Sequence, residues 1–368
     1  MLHDGETGSG FRTRNLLSLN FIRPNRLPLI LVAACVVTTL MAGRIFGFPV
    51  ELGLYSIPLA ILGPSSVILT LCIACLVTLF RNRPDRPTAF LRAKLMQEWK
   101  FSERFARGLP VFLCMPLMFS SFTSIKLAID NIVPFYADPY FFALDRMIHG
   151  IDPWRLLQPV LGFPLVTEVI NFFYNLWFFV MFVILSLAIF LLEDKRLRTH
   201  YLAAFMLSWM LIGGVFAILL SSVGPCFYSA FYPSDPYAEL IAYLDQVNEI
   251  YPLWARSLQD LLLESYKRDE MGFGVGISAM PSMHVAIVVL NAIFLSKVHR
   301  FAGIAAWIFA AIIFVGSVHL AWHYAVDGYV AALLVIIIWF AAGKLTDLFE
   351  PRDQSATRSP VPNTAISK

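Results

Sequence analysis

The stretch FAGIAAWIFAAIIFVGSVHLAWHYAVDGYVAALLVIIIWFAAGKL, residues 301–345, consists of two long apolar runs separated by a short polar turn. Each run has about the 20 apolar residues that a helix needs to cross a hydrocarbon core of about 30 Å. We therefore predict two antiparallel membrane spans, 301–321 and 325–345. Two histidines and an aspartate lie in or next to the turn, at 319, 323 and 327. Such residues are costly at the edge of a membrane unless they are paired or functional.

The rest of the chain has the same apolar character. Of its 368 residues, 58% are hydrophobic and 14% are charged, and the mean hydropathy is +0.69. Soluble globular domains have about 25% charged residues, so this composition excludes that class. The net charge of +3 gives no reason to expect a nucleic-acid partner. We predict an all-α, polytopic membrane helix bundle of about eight spans: 28–47, 54–80, 109–129, 164–192, 201–222, 279–297, 301–321 and 325–345.

The charge of the loops predicts the orientation of this bundle. Segment 81–107 contains eight basic and three acidic residues, whereas 223–277 contains three basic and eight acidic residues. Because short cytoplasmic loops carry excess Lys and Arg, we expect 81–107 inside and 223–277 outside. An even number of spans then leaves both termini in the cytoplasm, as a tail of 1–27 and a disordered tail of 350–368. We expect a multi-pass protein of the plasma membrane.

Three aromatic-rich segments lie near the predicted outer face. Residues 134–160 mix aromatic residues with Asp, Arg and Pro, which fits either a short interfacial helix or a structured loop. Residues 223–277 form a loop that is long enough to cap a site at the membrane surface. Phe172–Phe182, within the fourth span, is expected to be lipid-facing and packing surface rather than a binding site.

Two histidine motifs that are distant in sequence are predicted to reach the same membrane face. In SAMPSMH, residues 278–284, Pro281 suits the first turn of a helix, and Ser282 can offer a hydroxyl and nearby backbone N–H groups to an anion. In HYAVD, residues 323–327, the histidine and the aspartate are four residues apart and so share a helix face. A carboxylate beside an imidazole fixes its tautomer and stabilises the imidazolium that forms in proton or phosphoryl transfer.

These two motifs resemble those of the type 2 phosphatidic acid phosphatase superfamily. AMPSMH followed by HYAVD looks most like the branch that contains inositol phosphorylceramide synthases and sphingomyelin synthases. The resemblance covers 109–345 and implies a six-helix catalytic membrane core within 108–349. The preceding region, 28–107, is then an addition of two spans and a basic cytoplasmic loop.

The resemblance also implies catalytic roles. His323 would attack phosphorus to form a phosphohistidine, Asp327 would orient it, and His284 would protonate the leaving alcohol. Ser282 and nearby amides would hold the phosphoryl oxygens. The donor would be a phospholipid or a lipid phosphate, and the acceptor a lipid alcohol or water. No metal and no cofactor is implied.

The sequence departs from the phosphatase branch at the phosphate clamp. The outer loop has no KxxxxxxRP segment, and Gly316 and Ser317 stand where the serine–arginine pair of the second signature is expected. This absence favours transfer between lipids over hydrolysis. Substitute cations could come from the long outer loop, at Arg256, Lys267 or Arg268, unless these three are simply solvated loop charges.

Six other residues are candidates for the phosphate or headgroup pocket. They are Pro281, His319, Tyr324, Glu168, Asn171 and Asn175. The last three form a stripe on one face of the fourth span, which could equally bridge helices. His319 and His323 have the His-x3-His spacing of zinc and iron sites, but the outer histidines are too few for the sets that diiron membrane oxidases use. A transporter in which His and Asp relay protons is a further alternative.

Overall fold

The computed structural model describes residues 23–350, and these form helices joined by turns and loops, with no strand in that range. The predictions for the two terminal tails concern residues that lie almost entirely outside it. The described helices of more than six residues are, in chain order, α1 (Arg26–Phe46), α2 (Ser56–Asn82), α3 (Pro87–Ala93), α4 (Phe101–Leu127), α5 (Asp138–His149), α6 (Pro153–Leu161), α7 (Pro164–Ser186), α8 (Lys195–Met210), α9 (Ala238–Ile250), α10 (Trp254–Lys267), α11 (Met283–Val298), α12 (Arg300–His319) and α13 (Ala325–Phe349).

Seven of the described helical stretches are long and apolar enough to cross a membrane. They are α1, α2, α4, α12, α13, α7 with its helical continuation to Leu191, and α8 with its helical continuation to Leu219. The remaining predicted span is α11, an apolar helix of 16 residues. At 1.5 Å per residue α11 is about 24 Å long. The residues just before its N-terminus are not helical. The all-α, polytopic, multi-pass architecture predicted from the sequence is confirmed.

The bounds of α11 differ from the prediction because of how the helix is capped. The sequence pattern places its start at 279 and Pro281 in its first turn, but α11 starts at Met283. Ser282 is the N-cap residue, and its hydroxyl accepts a hydrogen bond from the backbone N–H of Val285 at 3.4 Å. Pro281 therefore lies outside the helix, just before the cap.

Helix α11 is the centre of the bundle. It packs against α12, α13, α8 and α7, and most of its residues are buried. Helix α1 packs on α4 and α8, and α2 packs on α7 and α4. The two additional N-terminal helices therefore join the same bundle as the six-helix core.

The two long segments at one end of the bundle are ordered. Residues 134–160 contain α5 and most of α6, and residues 223–277 contain α9 and α10. Chain connectivity places both segments at the end where α11 and α13 begin and where α4 and α12 finish. We call this the site end, because both histidine motifs lie there.

Candidate active site

The structure brings His284 and His323 together, as the sequence predicts. His284 is the second residue of α11, and His323 lies in the turn between α12 and α13. Their ring centroids are 5.6 Å apart, with the ring planes at 63°. Both side chains line one cavity of about 700 Å³, a volume typical of small-molecule sites.

His323 is oriented by Asp327, but not through a shared helix face. Nδ1 of His323 lies 3.1 Å from Oδ2 of Asp327, and the backbone N–H of Tyr324 donates to the same oxygen at 3.2 Å. Tyr324 is the N-cap of α13, so His323 precedes the helix and Asp327 reaches back over the first turn. The expected pair forms by helix capping rather than by helical spacing.

The surroundings of His323 favour its neutral form. The imidazole is buried, and this burial lowers the pKa of His323 well below its ordinary value. With Nδ1 directed at the carboxylate of Asp327, Nε2 is the nitrogen that remains to react. A neutral imidazole held in one tautomer is the form that can act as a nucleophile at neutral pH.

His284 contacts two aromatic rings of α7. Its ring centroid lies 4.7 Å from that of Tyr174, at 26° between planes, and 4.4 Å from that of Trp177, at 45°. Phe172–Phe182 was expected to be lipid-facing and packing surface, and this is wrong for the face of α7 that carries Tyr174, Trp177 and Phe178, because these three residues line the cavity. Residues three and four apart share a helix face, and this face of α7 lines the cavity.

The cavity is predominantly apolar. Aromatic and aliphatic side chains from α4, α7, α8 and α10 form its walls, and the stretch 273–278 covers it. This agrees with the expectation that 223–277 caps a site. Besides the two histidines and the tryptophan indoles, the described lining side chains with a polar group are Tyr55, Lys126, Tyr174, Asn175, Ser257 and Ser278.

Lys126 lines the cavity and was not among the residues predicted from the sequence. It lies in the last turn of α4, and no other Lys or Arg is among the described residues that line the cavity. None of the ion pairs in residues 23–350 involves it. Its stem runs beside Gly276, where a Cβ would lie 3.3 Å from Lys126 Cγ. The signal was available, because Lys126 is the single charge in the predicted span 109–129.

The three basic residues proposed from the outer loop lie elsewhere. Arg256 forms an ion pair with Asp245 at 2.8 Å. Lys267 and Arg268 are exposed, and each lies 3.5 Å from Glu264. None of the three lines the cavity, so the structure supports their interpretation as loop charges.

The polar stripe on α7 has two functions. Asn175 lines the cavity, and its amide donates to Oδ1 of Asn171 at 3.1 Å. Asn171 in turn donates to Glu168 at 3.0 Å and accepts from the backbone N–H of Ala255 at 3.1 Å. Asn175 therefore contacts the cavity, Asn171 ties α7 to α10, and Glu168 bonds to Asn171 within α7.

His319 lies apart from His284 and His323. It is the last residue of that helix, and its Nε2 lies 2.9 Å from Oγ1 of Thr167. It does not line the cavity, and it cannot share a helix face with Asp327, which belongs to α13. Residues 23–350 contain no group of three or more His, Cys, Asp or Glu side chains that could hold a metal ion.

Three further residues of the motifs have distinct positions. Pro281 lines the cavity. Ser282 does not, because its hydroxyl caps α11. Tyr324 is buried outside the cavity, and its hydroxyl donates to Oδ1 of Asp138 at 2.8 Å.

Helix α5 positions the turn that carries His323, a role with no clear signal in the sequence. The carboxylate of Asp145 accepts the backbone N–H groups of Ala325 and Val326 at 2.8 and 2.9 Å. These are the first N–H groups of α13, which lack partners within the helix. Burial raises the pKa of Asp145, and these two bonds oppose the shift.

Asp138 makes the second connection from α5. It is fully buried and accepts the backbone N–H groups of Val223 and Gly224 at 2.9 and 2.8 Å. It also accepts the hydroxyls of Tyr232 and Tyr324, at 2.9 and 2.8 Å. A single carboxylate thus ties the start of the capping loop to the turn beside His323.

A family model described as the PAP2 superfamily matches residues 140–341, more than half of the chain. The chain belongs to the PAP2 superfamily. The match includes both histidine motifs and Asp145, whereas Lys126, α1, α2 and α4 lie before it. Membership indicates phosphatase- or phosphotransferase-type chemistry on lipid phosphates. No curated protein and no solved structure is significantly similar to the chain.

Proposed function

We propose that this PAP2-superfamily protein is a lipid phosphotransferase that moves a phosphoryl or phospho-alcohol headgroup from a phospholipid to a lipid alcohol. The observation that carries the proposal is the pairing of His284 with His323 at an apolar cavity. To this cavity Lys126 contributes the one Lys or Arg side chain among the described lining residues. An apolar cavity suits a lipid, and the two imidazoles suit a two-step transfer.

The reaction proceeds in two displacements. Nε2 of His323 attacks phosphorus, the bond from phosphorus to the donor alcohol breaks, and His284 gives its proton to the departing oxygen. The acceptor alcohol then transfers its proton to His284 and attacks phosphorus, which breaks the N–P bond and restores His323. Asp327 holds the Nδ1 proton and stabilises the positive charge on the ring while the phosphohistidine exists.

The charge of the cavity favours a phosphodiester donor. A phosphate monoester carries about −1.5 to −2 charges at pH 7, whereas a diester carries one. The cavity offers a single lysine and lacks the arginine clamp expected of the phosphatase branch, since Gly316 and Ser317 replace its serine–arginine pair. Lys126 is the one described lining residue of the Lys or Arg type, and the proton on His284 leaves with the donor alcohol, so the site matches the single charge of a diester better than the charge of a monoester. This supports headgroup transfer from a phospholipid over hydrolysis of a lipid phosphate.

We assign the protein to the branch that resembles inositol phosphorylceramide and sphingomyelin synthases, because AMPSMH and HYAVD are most similar to that branch. The acceptor is then a sphingolipid alcohol. The basic loop 81–107 and the acidic loop 223–277 favour a site end that faces outward from the plasma membrane, with both termini in the cytoplasm.

The test is to supply the purified protein with phospholipids labelled in the headgroup phosphate and with ceramide. The wild type is expected to form a new labelled phospholipid, and His284→Ala and His323→Ala are expected to form none. His149→Gln is the matched control, because His149 lies at the same end but bonds to Tyr329 at 2.9 Å and does not line the cavity.

Each outcome of this test is informative. An acid-labile label that is retained on the wild type and absent from His323→Ala supports the phosphohistidine. Free phosphate as the only product, lost in both alanine variants, replaces the transferase with a lipid phosphate phosphatase. Unchanged turnover in either alanine variant, or no product from the wild type, overturns the proposal.

A further inference from the structure

A second, smaller cavity adjoins the first. Its volume is about 250 Å³, and its walls come from α2, α4 and α7. Phe182 lines both cavities, and the successive residues Tyr55 and Ser56 line the larger and the smaller one respectively. Phe182 is therefore a wall that the two cavities share, near the start of α2.

The smaller cavity continues from the histidines toward the middle of the bundle. Along the span that begins with α7 and continues to Leu191, Trp177 contacts His284, Phe182 lines both cavities, and Ile189 lines the smaller one. At 1.5 Å per residue, Trp177 and Ile189 are about 18 Å apart along the helix. Because α7 is a membrane span, this path leads from the site end into the depth at which lipid chains lie.

The lining of the smaller cavity suits hydrocarbon. It contains Leu, Ile, Met, Phe and Pro side chains, and no charged residue is among its described lining residues. The hydroxyls of Ser66 and Ser186 are hydrogen-bonded to each other at 2.8 Å, so these polar atoms are already satisfied. Gly63 leaves room for the ring of Phe112, because a Cβ at this position would lie 2.6 Å from Cζ of Phe112.

We propose that the smaller cavity binds the end of one hydrocarbon chain of the lipid whose phosphate lies at His284 and His323. This inference rests on the proposed function and adds a chain-length selectivity to it. Phe182 marks the point at which the chain passes from one cavity to the other. Helix α2 then takes part in substrate binding, although it lies before the matched region 140–341.

The selectivity follows from the burial of methylenes. A lipid chain is already surrounded by hydrocarbon before it binds, so each CH₂ that enters the smaller cavity gains packing contacts rather than transfer out of water, and kcat/KM is expected to rise by no more than about twofold per CH₂. The gain stops when the cavity is full. Donor phospholipids that share one headgroup and differ stepwise in chain length are therefore expected to show a rise in kcat/KM followed by a plateau.

A matched pair of substitutions tests the site. Ala60 and its neighbour Ile61 are both exposed on α2, but Ala60 lines the edge of the smaller cavity and Ile61 lines neither cavity. Ala60→Trp fills the cavity, so its plateau is expected at a shorter chain and long-chain donors should lose far more than short-chain donors. Ile61→Trp should keep the wild-type profile. An Ala60→Trp protein with the wild-type chain-length profile overturns the inference.

A binding measurement separates this inference from the proposed function. The probe is a phospholipid with a diazirine at the end of its acyl chain, photolysed in the His323→Ala protein, which cannot turn over. Labelling of peptides from α2 and α4 around Ser56–Ser66 and Phe112–Pro116 is expected. Labelling there without turnover by the wild type would refute the transferase and retain the chain site. Wild-type turnover with labelling only elsewhere would refute the chain site alone.

Discussion

Lys126→Met tests whether one lysine replaces the arginine clamp. Methionine keeps the unbranched stem that packs beside Gly276 and removes only the ammonium group. A hydrogen bond from a charged donor contributes about 1.5–3 kcal/mol. At 1.36 kcal/mol per tenfold in rate, kcat/KM is expected to fall about 10- to 150-fold. Lys126→Arg retains the charge and should recover part of this loss.

The assay is the formation of labelled phospholipid from a phosphodiester donor, measured over a range of donor concentrations. Lys267→Met is the matched control, because Lys267 is exposed, lies 3.5 Å from Glu264 and does not line the cavity. It should stay within about twofold of the wild type, since surface ion pairs contribute at most about 1 kcal/mol. A folded Lys126→Met protein that keeps kcat/KM within about threefold would refute the assignment of Lys126 as the phosphate-binding cation.

Three further predictions concern the support of the site and its chemistry. Asp145→Asn leaves one of the two α13 N–H groups without its acceptor and should lower the free energy of unfolding by about 1–3 kcal/mol; an unchanged melting temperature in detergent would contradict this role. Trp177→Leu removes one of the two rings that contact His284 and should lower kcat about 2- to 12-fold, whereas Trp307→Leu, on the exposed face of α12, should not. Equal rates would contradict a role of the Trp177 ring in supporting His284. A chelator should leave turnover unchanged, because the proposed chemistry uses side chains alone, and activity that is lost and then restored by a divalent cation would argue against it.

The pairing of His284 with His323 could be predicted because its signals are local. AMPSMH and HYAVD stand at the predicted outer ends of apolar runs, and alternation of spans places such ends on one face. The sequence does not show that His323 precedes the helix. For that reason the contact between His323 and Asp327 was expected from helical spacing, although capping produces it.

The residues that surround the pair were harder to predict because their roles depend on facing helices. Tyr174 and Trp177 lie in the stretch Phe172–Phe182, in which every residue except Asn175 is apolar or aromatic, so hydropathy alone does not distinguish a cavity face from a lipid face. The carboxylates of Asp138 and Asp145 stabilise backbone groups that are far away in sequence. Only the packed bundle shows which N–H groups they accept.

The sequence by itself determined the class of this protein. The lengths of its apolar runs require membrane helices, because a backbone in hydrocarbon must satisfy its own hydrogen bonds, and the two histidine motifs indicate the chemistry. Only the tertiary structure decided which cation lies with the histidines, which aromatic rings contact His284, and where a hydrocarbon path begins. The physical reason is that a charge pair or a cavity depends on distances between helices, and these are set by side-chain packing across the whole bundle rather than by the period of any one segment.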